Sequence, residues 1–341
     1  MGSSWTPGRV NLIGEWIDFN GGHVLPAALP LGVTVTLRAD HGETDTVTSA
    51  QFDGVSDAAL DAPARGDWAD YVFGALQAAR RQGWLDSGAT VCLDSDIPAG
   101  AGVSSSAAVT VGVLKAAAPP GTDPTRLATL AREVENQFVG VPCGIMDQMA
   151  VAHTGPGEAL ALDTRSLGFE RLQFPPGWRF AVLHSGVDRK LADGRYSARR
   201  DACLAAANTL KVDYLCDAQD LTALPLELQP IARHVISENA RTLDAITALK
   251  ADDHTQFGAL MEQSHASLRD DFRVSTPEID ALVANAIAEG APGARLTGAG
   301  FGGCIVAFLP EGADETWTRD LLARHPKAWL VAAVGGAKER T

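Results

Sequence analysis

The chain has 341 residues, 46% of them hydrophobic, which is enough to form two packed domains or one large domain. Its 28 Lys and Arg against 42 Asp and Glu give a net charge of −14, which argues against a general nucleic-acid or anionic-membrane binder. A local pocket for a phosphate group remains compatible with that charge.

The cysteine and hydropathy patterns indicate a cytoplasmic protein. The five cysteines lack the short spacing of a zinc knuckle or a redox motif, so reduced thiols are expected at Cys92, Cys143, Cys203, Cys216 and Cys304. No segment is long and apolar enough for a signal peptide or a membrane helix. We therefore expect no membrane partner and no nucleic-acid partner.

Residue patterns predict mixed strands and helices in the first half of the chain. Apolar and polar residues alternate over residues 33–37 and 89–93, which is typical of half-buried strands. Helices are predicted over residues 68–79 after an Asp67 cap, from Ser104 to just before Pro119, and from Pro124, after an Asp123 cap, to about Phe138.

The second half has a different order of elements. Strands are predicted over residues 159–162 and 180–183, helices between about residues 196 and 290, and closing strands over residues 304–309 and 329–334. Because regular strand–helix alternation is missing, this order indicates an α+β fold with antiparallel sheets. The pattern breaks at Pro175-Pro176-Gly177, and we expect an N-terminal domain over residues 1–172 and a C-terminal domain over residues 173–341.

A glycine-rich segment between a predicted strand and a predicted helix is the most informative stretch. Residues 96–107 read Asp-Ile-Pro-Ala-Gly-Ala-Gly-Val-Ser-Ser-Ser-Ala. Glycines let the backbone approach a ligand closely, the N–H groups at a helix start favour an anion, and serine hydroxyls can bond phosphate or Mg²⁺. No Gly-Lys-Ser/Thr ends the segment, so it is not a Walker A motif. An ordinary glycine turn with a serine cap is the alternative.

Two further glycine-rich segments lie near the ends of the chain. Residues 7–22 read Pro-Gly-Arg-Val-Asn-Leu-Ile-Gly-Glu-Trp-Ile-Asp-Phe-Asn-Gly-Gly, a run of hydrogen-bonding side chains that suits a polyhydroxylated ligand. A solvated loop with its own Asx turns is the alternative. Residues 296–304 read Leu-Thr-Gly-Ala-Gly-Phe-Gly-Gly-Cys and enter a predicted strand, so they are equally consistent with a hairpin or a bulge.

Two carboxylates in the middle of the chain are candidates for chemistry. Glu135 lies on or beside the apolar stripe of its predicted helix, where a carboxylate needs a partner such as a cation or a surface salt bridge. Asp147 is predicted in the first turn of a short helix. It could compensate the helix dipole there or act as a general base.

Taken together, these segments resemble the galactokinase branch of the GHMP small-molecule kinases. Residues 7–22 look like the galactokinase signature, residues 96–107 like the phosphate loop of the family, and residues 296–304 like its C-terminal glycine motif. Val-Pro-Cys-Gly-Ile-Met-Asp-Gln, ending at Gln148, is similar to the catalytic stretch. The motifs occur in the expected order over nearly the whole chain.

The resemblance implies a fold and an activity. The fold would have two domains, an N-terminal domain like domain 2 of ribosomal protein S5 and a ferredoxin-like C-terminal domain, with the active site between them. The activity would be transfer of the γ-phosphate of ATP, with Mg²⁺, to the anomeric hydroxyl of a monosaccharide, galactose first among them. We expect a monomer.

The resemblance also assigns roles to residues at matching positions. Asp147 would be the base and Arg9 its partner, favouring the charged carboxylate or stabilising charge on the transferred group. Mg²⁺ would lie between Ser106 and Glu135. The triphosphate would contact Gly100, Ala101, Gly102, Ser104, Ser105 and Ser106, with Trp68 and Tyr71 flanking adenine. The sugar would contact Glu15, Trp16, Asp18, Gly144 and Tyr196.

Two departures from the family pattern leave alternatives open. Trp16 stands where the signature has histidine, and indole offers one donor, no acceptor and more apolar bulk. One alternative is a site built around Trp16 that selects a sugar altered at C6, such as L-arabinose, D-fucose or galacturonate. The other is that Trp16 turns into the core and galactose still fits. Arg9 also comes early, so we expect an upstream strand to be missing or replaced.

Functions of other classes are less consistent with the motifs. A sensor that binds sugar and ATP without catalysis has no need of Arg9, Glu135 and Asp147 together. A Rossmann dehydrogenase would carry its glycine fingerprint in an early βαβ unit, whereas residues 96–107 continue into serines after several other elements.

Overall fold

The computed structural model describes residues 1–40, 42–188, 194–313 and 315–335. The chain divides into two compact units that alternate along the sequence. The first unit comprises Met1–Arg9, Ala28–Ala99 and Val103–Gly155, and the second comprises Val10–Ala27, Gly100–Gly102 and Pro156–Thr341. The predicted domain boundary at residue 172 stays a prediction.

The strands and helices follow one another in a mixed order. The strands are β1 Gly2–Asn11, β2 His23–Val24, β3 Pro26–Ala39, β4 Thr44–Ser49, β5 Val55–Ala59, β6 Ala89–Ser95, β7 Glu158–Asp163, β8 Phe169–Gln173, β9 Arg179–His184, β10 Gly293–Thr297, β11 Cys304–Phe308 and β12 Trp329–Gly335. The helices are α1 Asp70–Arg81, α2 Ser105–Ala117, α3 Pro124–Glu133, α4 Met146–His153, α5 Arg195–Leu210, α6 Gln229–Lys250, α7 His254–Asp270, α8 Pro277–Ala288 and α9 Glu315–Ala323.

The first unit contains a sheet in the order β1-β3-β6-β4-β5. The alternating strands predicted at residues 33–37 and 89–93 are the antiparallel partners β3 and β6, with Val35 opposite Leu93. β6 and β4 are parallel, which departs from the antiparallel expectation. The reason is that the chain reverses twice between them, once in the hairpin from β4 to β5 and once in the connection that contains α1, so β6 has the same direction as β4.

β1 corrects the expectation of a missing upstream strand. It begins at Gly2 and pairs with β3, so a strand does precede Arg9. Two of its hydroxyls also fix α2 on the sheet: Ser4 Oγ donates to Gly112 O at 2.7 Å and Thr6 Oγ1 donates to Ala108 O at 2.8 Å. The end of β1 therefore has a defined position beside α2.

The helices of the first unit begin and end close to the predicted positions, with two differences. α1 begins at Asp70 rather than after an Asp67 cap, because Asp70 Oδ2 accepts hydrogen bonds from three preceding backbone N–H groups, those of Arg65, Gly66 and Asp67. α3 is capped by Asp123 as predicted, but its continuation Val134–Val139 is a π-helix.

The second unit has a four-stranded antiparallel sheet in the order β10-β11-β9-β12. Its core contains a cluster of aromatic rings from β9, from Trp178 directly before β9, and from β11 and α7. The ring centroid of Phe308 lies 4.8 Å from that of Trp178 and 4.8 Å from that of Phe180. The helical region predicted between residues 196 and 290 consists of four separate helices, α5 to α8. The last of these is capped by Thr276, as its sequence indicates.

A membrane-spanning helix was not expected, and among the residues that the structure describes no helix combines the length and apolar character that a membrane span requires.

His234 is a titratable ring enclosed in the second unit. Its Nε2 lies 3.3 Å from Glu15 O and its Nδ1 lies 2.9 Å from Ser267 Oγ, while its ring packs on Phe272. Burial lowers the pKa of His234 from 6.5 to about 4, against the opposing effect of the Glu238 carboxylate.

This depressed pKa predicts acid sensitivity. In the unfolded chain His234 takes up a proton near pH 6.5, whereas in the folded protein it does so only near pH 4. The free energy of unfolding should therefore fall as the pH drops between these two values. The loss should be on the order of 3 kcal/mol. In urea titrations between pH 7 and 4.5, His234→Gln should lose less stability than the wild type. The half-exposed His254→Gln serves as control; equal pH slopes in the wild type and His234→Gln would contradict the prediction.

Candidate active site

Arg9 occupies the end of β1, where the strand lies against the glycine-rich segment. The Arg9 N–H donates to Val103 O at 3.1 Å. A side chain on the preceding residue could not be accommodated, because a Cβ on Gly8 would lie 2.9 Å from the same carbonyl oxygen. The backbone therefore fixes where the buried Arg9 side chain begins.

Arg9 and Asp147 form a two-point ion pair across 138 residues of sequence. Arg9 Nε donates to Asp147 Oδ1, and its Nη2 donates to Oδ2, both at 2.7 Å. Asp147 is in the first turn of α4, as predicted. Its side chain keeps 28% of its surface exposed. A planar guanidinium matches a carboxylate in this way, and the pair holds the carboxylate in one orientation.

Ser104 also reaches Asp147. It precedes α2 with a left-handed backbone (φ 63°), and its hydroxyl donates to Asp147 Oδ2 at 2.5 Å instead of capping the helix. The serine-cap alternative is therefore wrong for this residue. The first N–H groups of α2 are left without a side-chain cap, which is the arrangement that binds anions at helix starts.

Glu135 lies in the π-helix with almost no exposed surface. Gln148 Nε2 donates to Glu135 Oε1 at 2.7 Å, and the Ser106 hydroxyl is near enough to favour the charged form of this carboxylate. Burial raises the pKa of Glu135 to about 7, and the nearby Asp147 charge adds to the rise. Gln148 was missed in the sequence; its one signal there is a polar residue directly after Asp147.

Trp68, one of the two residues predicted to flank adenine, contacts a further aromatic ring, that of Phe52. Trp68 stacks on Phe52, with ring centroids 4.9 Å apart and planes inclined by 10°. Phe52 is a residue that sequence patterns did not single out. Tyr71 is half-buried at the start of α1, and burial raises its pKa to about 12.

In the second unit, Glu15 is enclosed by protein donors. Its Oε1 accepts from Gly298 N at 2.8 Å and from Thr297 Oγ1 at 3.1 Å, and its Oε2 accepts from Asn11 Nδ2 at 2.8 Å and from Arg295. Burial raises the pKa of Glu15, and the Arg295 charge opposes that rise. Because a carboxylate has about four acceptor positions, a direct contact of Glu15 with a sugar would require one of these donors to be displaced.

Arg295, which directly precedes the glycine-rich segment at residues 296–304, binds the segment at residues 7–22. It is a third residue that the sequence reasoning missed. Its fully buried guanidinium donates to Leu12 O at 3.0 Å and to Ser264 Oγ at 3.0 Å, besides Glu15. It stands on β10, one residue before the third segment. An arginine at an otherwise apolar strand position was the available signal.

Residues 296–304 also contact the glycine-rich segment at residues 96–107. Cys304 Sγ lies 3.1 Å from Ala101 O, to which it can donate a hydrogen bond. Gly100 and Gly102, on either side, have positive φ angles of 77° and 70°, which only glycine adopts without strain. Residues 296–304 are thus a structural support for other segments and not merely a hairpin.

Trp16 packs into an aromatic cluster of the second unit. Its ring centroid lies 4.8 Å from that of Tyr196 and 5.0 Å from that of Phe272. Its backbone is left-handed (φ 69°), and among the described residues its buried indole N–H has no acceptor. This packing favours the alternative in which Trp16 turns toward the protein interior. Asp18 is half-buried nearby in sequence.

The structure brings the predicted residues together in two sets. Arg9 and Ser104 both contact Asp147 in the first unit, where Ser106 lies near Glu135. Trp16 and Tyr196 are in contact in the second unit. Gly144 is buried shortly before α4, and Ser105 is exposed at the start of α2.

Comparisons with known proteins identify the family to which the chain is similar. Residues 70–155 match the model of the GHMP kinase N-terminal domain, residues 245–323 that of the GHMP kinase C-terminal domain, and residues 4–39 the galactose-binding signature of galactokinases. A galactokinase from Roseiflexus sp. (strain RS-1) is 41% identical over 342 residues, covering 94% of this chain and 87% of the relative.

Solved structures show the same fold. The Lactococcus lactis galactokinase complexed with galactose has a TM-score of 0.92 at 29% identity, covering 99% of this chain and 94% of that one. The Methanococcus jannaschii mevalonate kinase has a TM-score of 0.71 at 19% identity, covering 98% of each chain. With two GHMP kinase domains, the galactokinase signature and a relative of this similarity, the chain belongs to the galactokinase family of the GHMP kinases.

Proposed function

We propose that this protein transfers the γ-phosphate of ATP to the anomeric hydroxyl of galactose, giving galactose 1-phosphate and ADP. The observation that carries the proposal is the Arg9–Asp147 pair beside the uncapped start of α2. It supplies a base and an anion-binding backbone at one place. The similarity to galactokinases, one of them complexed with galactose, supports the choice of sugar.

Asp147 is the base in this proposal. It takes the proton of the anomeric hydroxyl while that oxygen forms a bond to the γ-phosphorus and the bond to the ADP oxygen breaks. Arg9 holds the carboxylate in one orientation by its two hydrogen bonds. Phosphoryl transfer requires mainly positioning and neutralisation of charge, which these groups provide.

The nucleotide is held by backbone and by aromatic rings in this proposal. The triphosphate lies at the start of α2, against Ser105, Ser106 and Gly100–Gly102. The positive φ angles of Gly100 and Gly102 expose the backbone there. Trp68 and Tyr71 flank the adenine.

Mg²⁺ fits the oxygen atoms of Ser106 and Glu135. These are hard oxygen ligands of the kind that Mg²⁺ prefers, and they would hold the ion beside the phosphates. Glu135 is a buried carboxylate whose pKa burial raises to about 7, so a cation beside it favours its charged form. When bound, Mg²⁺ neutralises charge on the phosphates.

Sugar recognition is assigned to the signature loop and its neighbours. We propose that Asp18, Gly144 and Tyr196 contact the sugar, with Trp16 at its edge. Glu15 serves the loop by binding Asn11 and Arg295. The similarity to galactokinases favours galactose over the C6-altered sugars and over a non-catalytic sensor. We further propose a cytoplasmic monomer.

A sugar panel tests the proposed reaction. ADP release with Mg²⁺-ATP should be fastest on D-galactose among D-galactose, D-fucose, L-arabinose, N-acetylgalactosamine and D-galacturonate. Preference for a sugar altered at C6 would instead make Trp16 the residue that selects the substrate. ADP release with none of them, although ATP binds, would refute the proposal.

Asp147→Asn should lower kcat by roughly 10²–10⁴-fold, because a general base contributes about that factor. ATP affinity, measured by isothermal titration, should stay near the wild-type value. Asp270→Asn removes a carboxylate from an exposed ion pair with Arg269 and is the matched control. Unchanged turnover in Asp147→Asn would remove this residue from the mechanism.

Glu135→Gln should raise the Mg²⁺ concentration for half-maximal rate by at least about tenfold, since it removes a charged ligand of the cation. The KM for galactose should hardly change. Glu133→Gln alters an exposed side chain two residues earlier and is the control. If both variants need the same Mg²⁺ concentration, Glu135 is not a ligand.

A further inference from the structure

Ser104 uses its hydroxyl in an unusual way for the residue that precedes a helix. A serine at this position ordinarily has an extended backbone and accepts a hydrogen bond from the second or third N–H of the helix. Ser104 instead has a left-handed backbone and makes no side-chain cap with α2. A left-handed conformation is unfavourable for a residue with a Cβ, so another interaction must hold it.

The interaction that holds Ser104 is its hydrogen bond to Asp147. The hydroxyl donates to Oδ2 at 2.5 Å, and Arg9 Nη2 donates to the same oxygen at 2.7 Å. Among the residues that the structure describes, Oδ1 accepts from Arg9 Nε alone. Since a carboxylate has about four acceptor positions, three of those on Asp147 are filled and the fourth lies on Oδ1.

We infer that Ser104 is a positioning residue for the base, and that it makes Oδ1 the atom that receives the proton from the sugar. This inference rests on the proposed function. The anomeric O–H gives its proton to Oδ1, its oxygen bonds to the γ-phosphorus, and the bond between that phosphorus and the ADP oxygen breaks. Ser104 and Arg9 keep both acceptor positions of Oδ2 filled throughout, so the carboxylate cannot rotate.

The hydrogen bond to Asp147 gives Ser104 a different role from that of Ser105 and Ser106. A serine hydroxyl has one proton, and phosphate oxygens only accept hydrogen bonds. While Ser104 donates to Asp147, it has no proton to offer to a phosphate. The exposed Ser105 and the half-buried Ser106 have no such bond to the base. The three consecutive serines therefore have different tasks.

Two substitutions separate the hydroxyl from the backbone. Ser104→Gly removes the hydroxyl and suits the positive φ, whereas Ser104→Ala removes the hydroxyl and keeps the strain. Without the hydroxyl, the Asp147 carboxylate loses one of the bonds that hold it in position. kcat should therefore fall roughly tenfold in both variants, with the KM for ATP near the wild-type value.

Ser105→Ala is the comparison variant. It should raise the KM for ATP. If both Ser104 variants raise the KM for ATP without lowering kcat, Ser104 is a phosphate contact and the inference fails. If Ser104→Ala is impaired while Ser104→Gly behaves as wild type, the backbone and not the hydroxyl matters, and the inference fails as well.

A readout without substrate keeps the inference separate from the proposed function. In NMR of the protein with carboxyl-labelled aspartate, the Asp147 signal, assigned by its loss in Asp147→Asn, should show a shift in Ser104→Gly relative to the wild type and none in Ser105→Ala. Absence of kinase activity together with this shift would refute only the function. Kinase activity without the shift would refute only the role of Ser104.

Discussion

The ion pair between Arg9 and Asp147 joins two residues 138 positions apart in the sequence, so the fold must bring them together. The two-point contact between Arg9 and Asp147 needs the end of one strand and the first turn of α4 within hydrogen-bond distance. β1 supplies the first by pairing with β3, and the hydroxyls of Ser4 and Thr6 fix α2 beside it. The sheet is therefore the frame that places a base and its partner.

The second unit contains charged side chains that are buried away from water. Arg295, Glu15 and Glu238 are all buried, and removing charges from water is costly. The cost is offset because Glu15 accepts hydrogen bonds on both oxygens and Glu238 accepts from Gly14 N and Ser264 Oγ. Such a network tolerates little change in geometry, which suits a loop that must keep one shape.

Local patterns predicted what local forces determine. The alternation at residues 33–37 and the proline after Asp123 led to β3 and α3, because side-chain periodicity and capping act within a few residues. The candidate residues Arg9, Glu135 and Asp147 came from motifs in the same way. The parallel pairing of β6 with β4 was not predictable, since it depends on where α1 carries the chain.

Other features escaped prediction because they depend on distant partners. Nothing near Ser104 in sequence indicates its left-handed backbone, which a carboxylate 43 residues away holds in place. The buried position of Arg295 likewise depends on Glu15, 280 residues away. A sequence pattern can suggest that such a residue is out of place, but only the fold identifies its partner.

The contact between Ser104 and Asp147 brings the starts of two helices, α2 and α4, to one place. Each helix start carries about half a positive charge from its aligned peptide dipoles, so together they amount to roughly one. This charge belongs to the backbone, and neither pH nor a side-chain substitution removes it. With no serine cap on α2, part of its stabilisation is left for an anion to provide. The resistance of this unit to unfolding should therefore rise with the concentration of a bound polyphosphate.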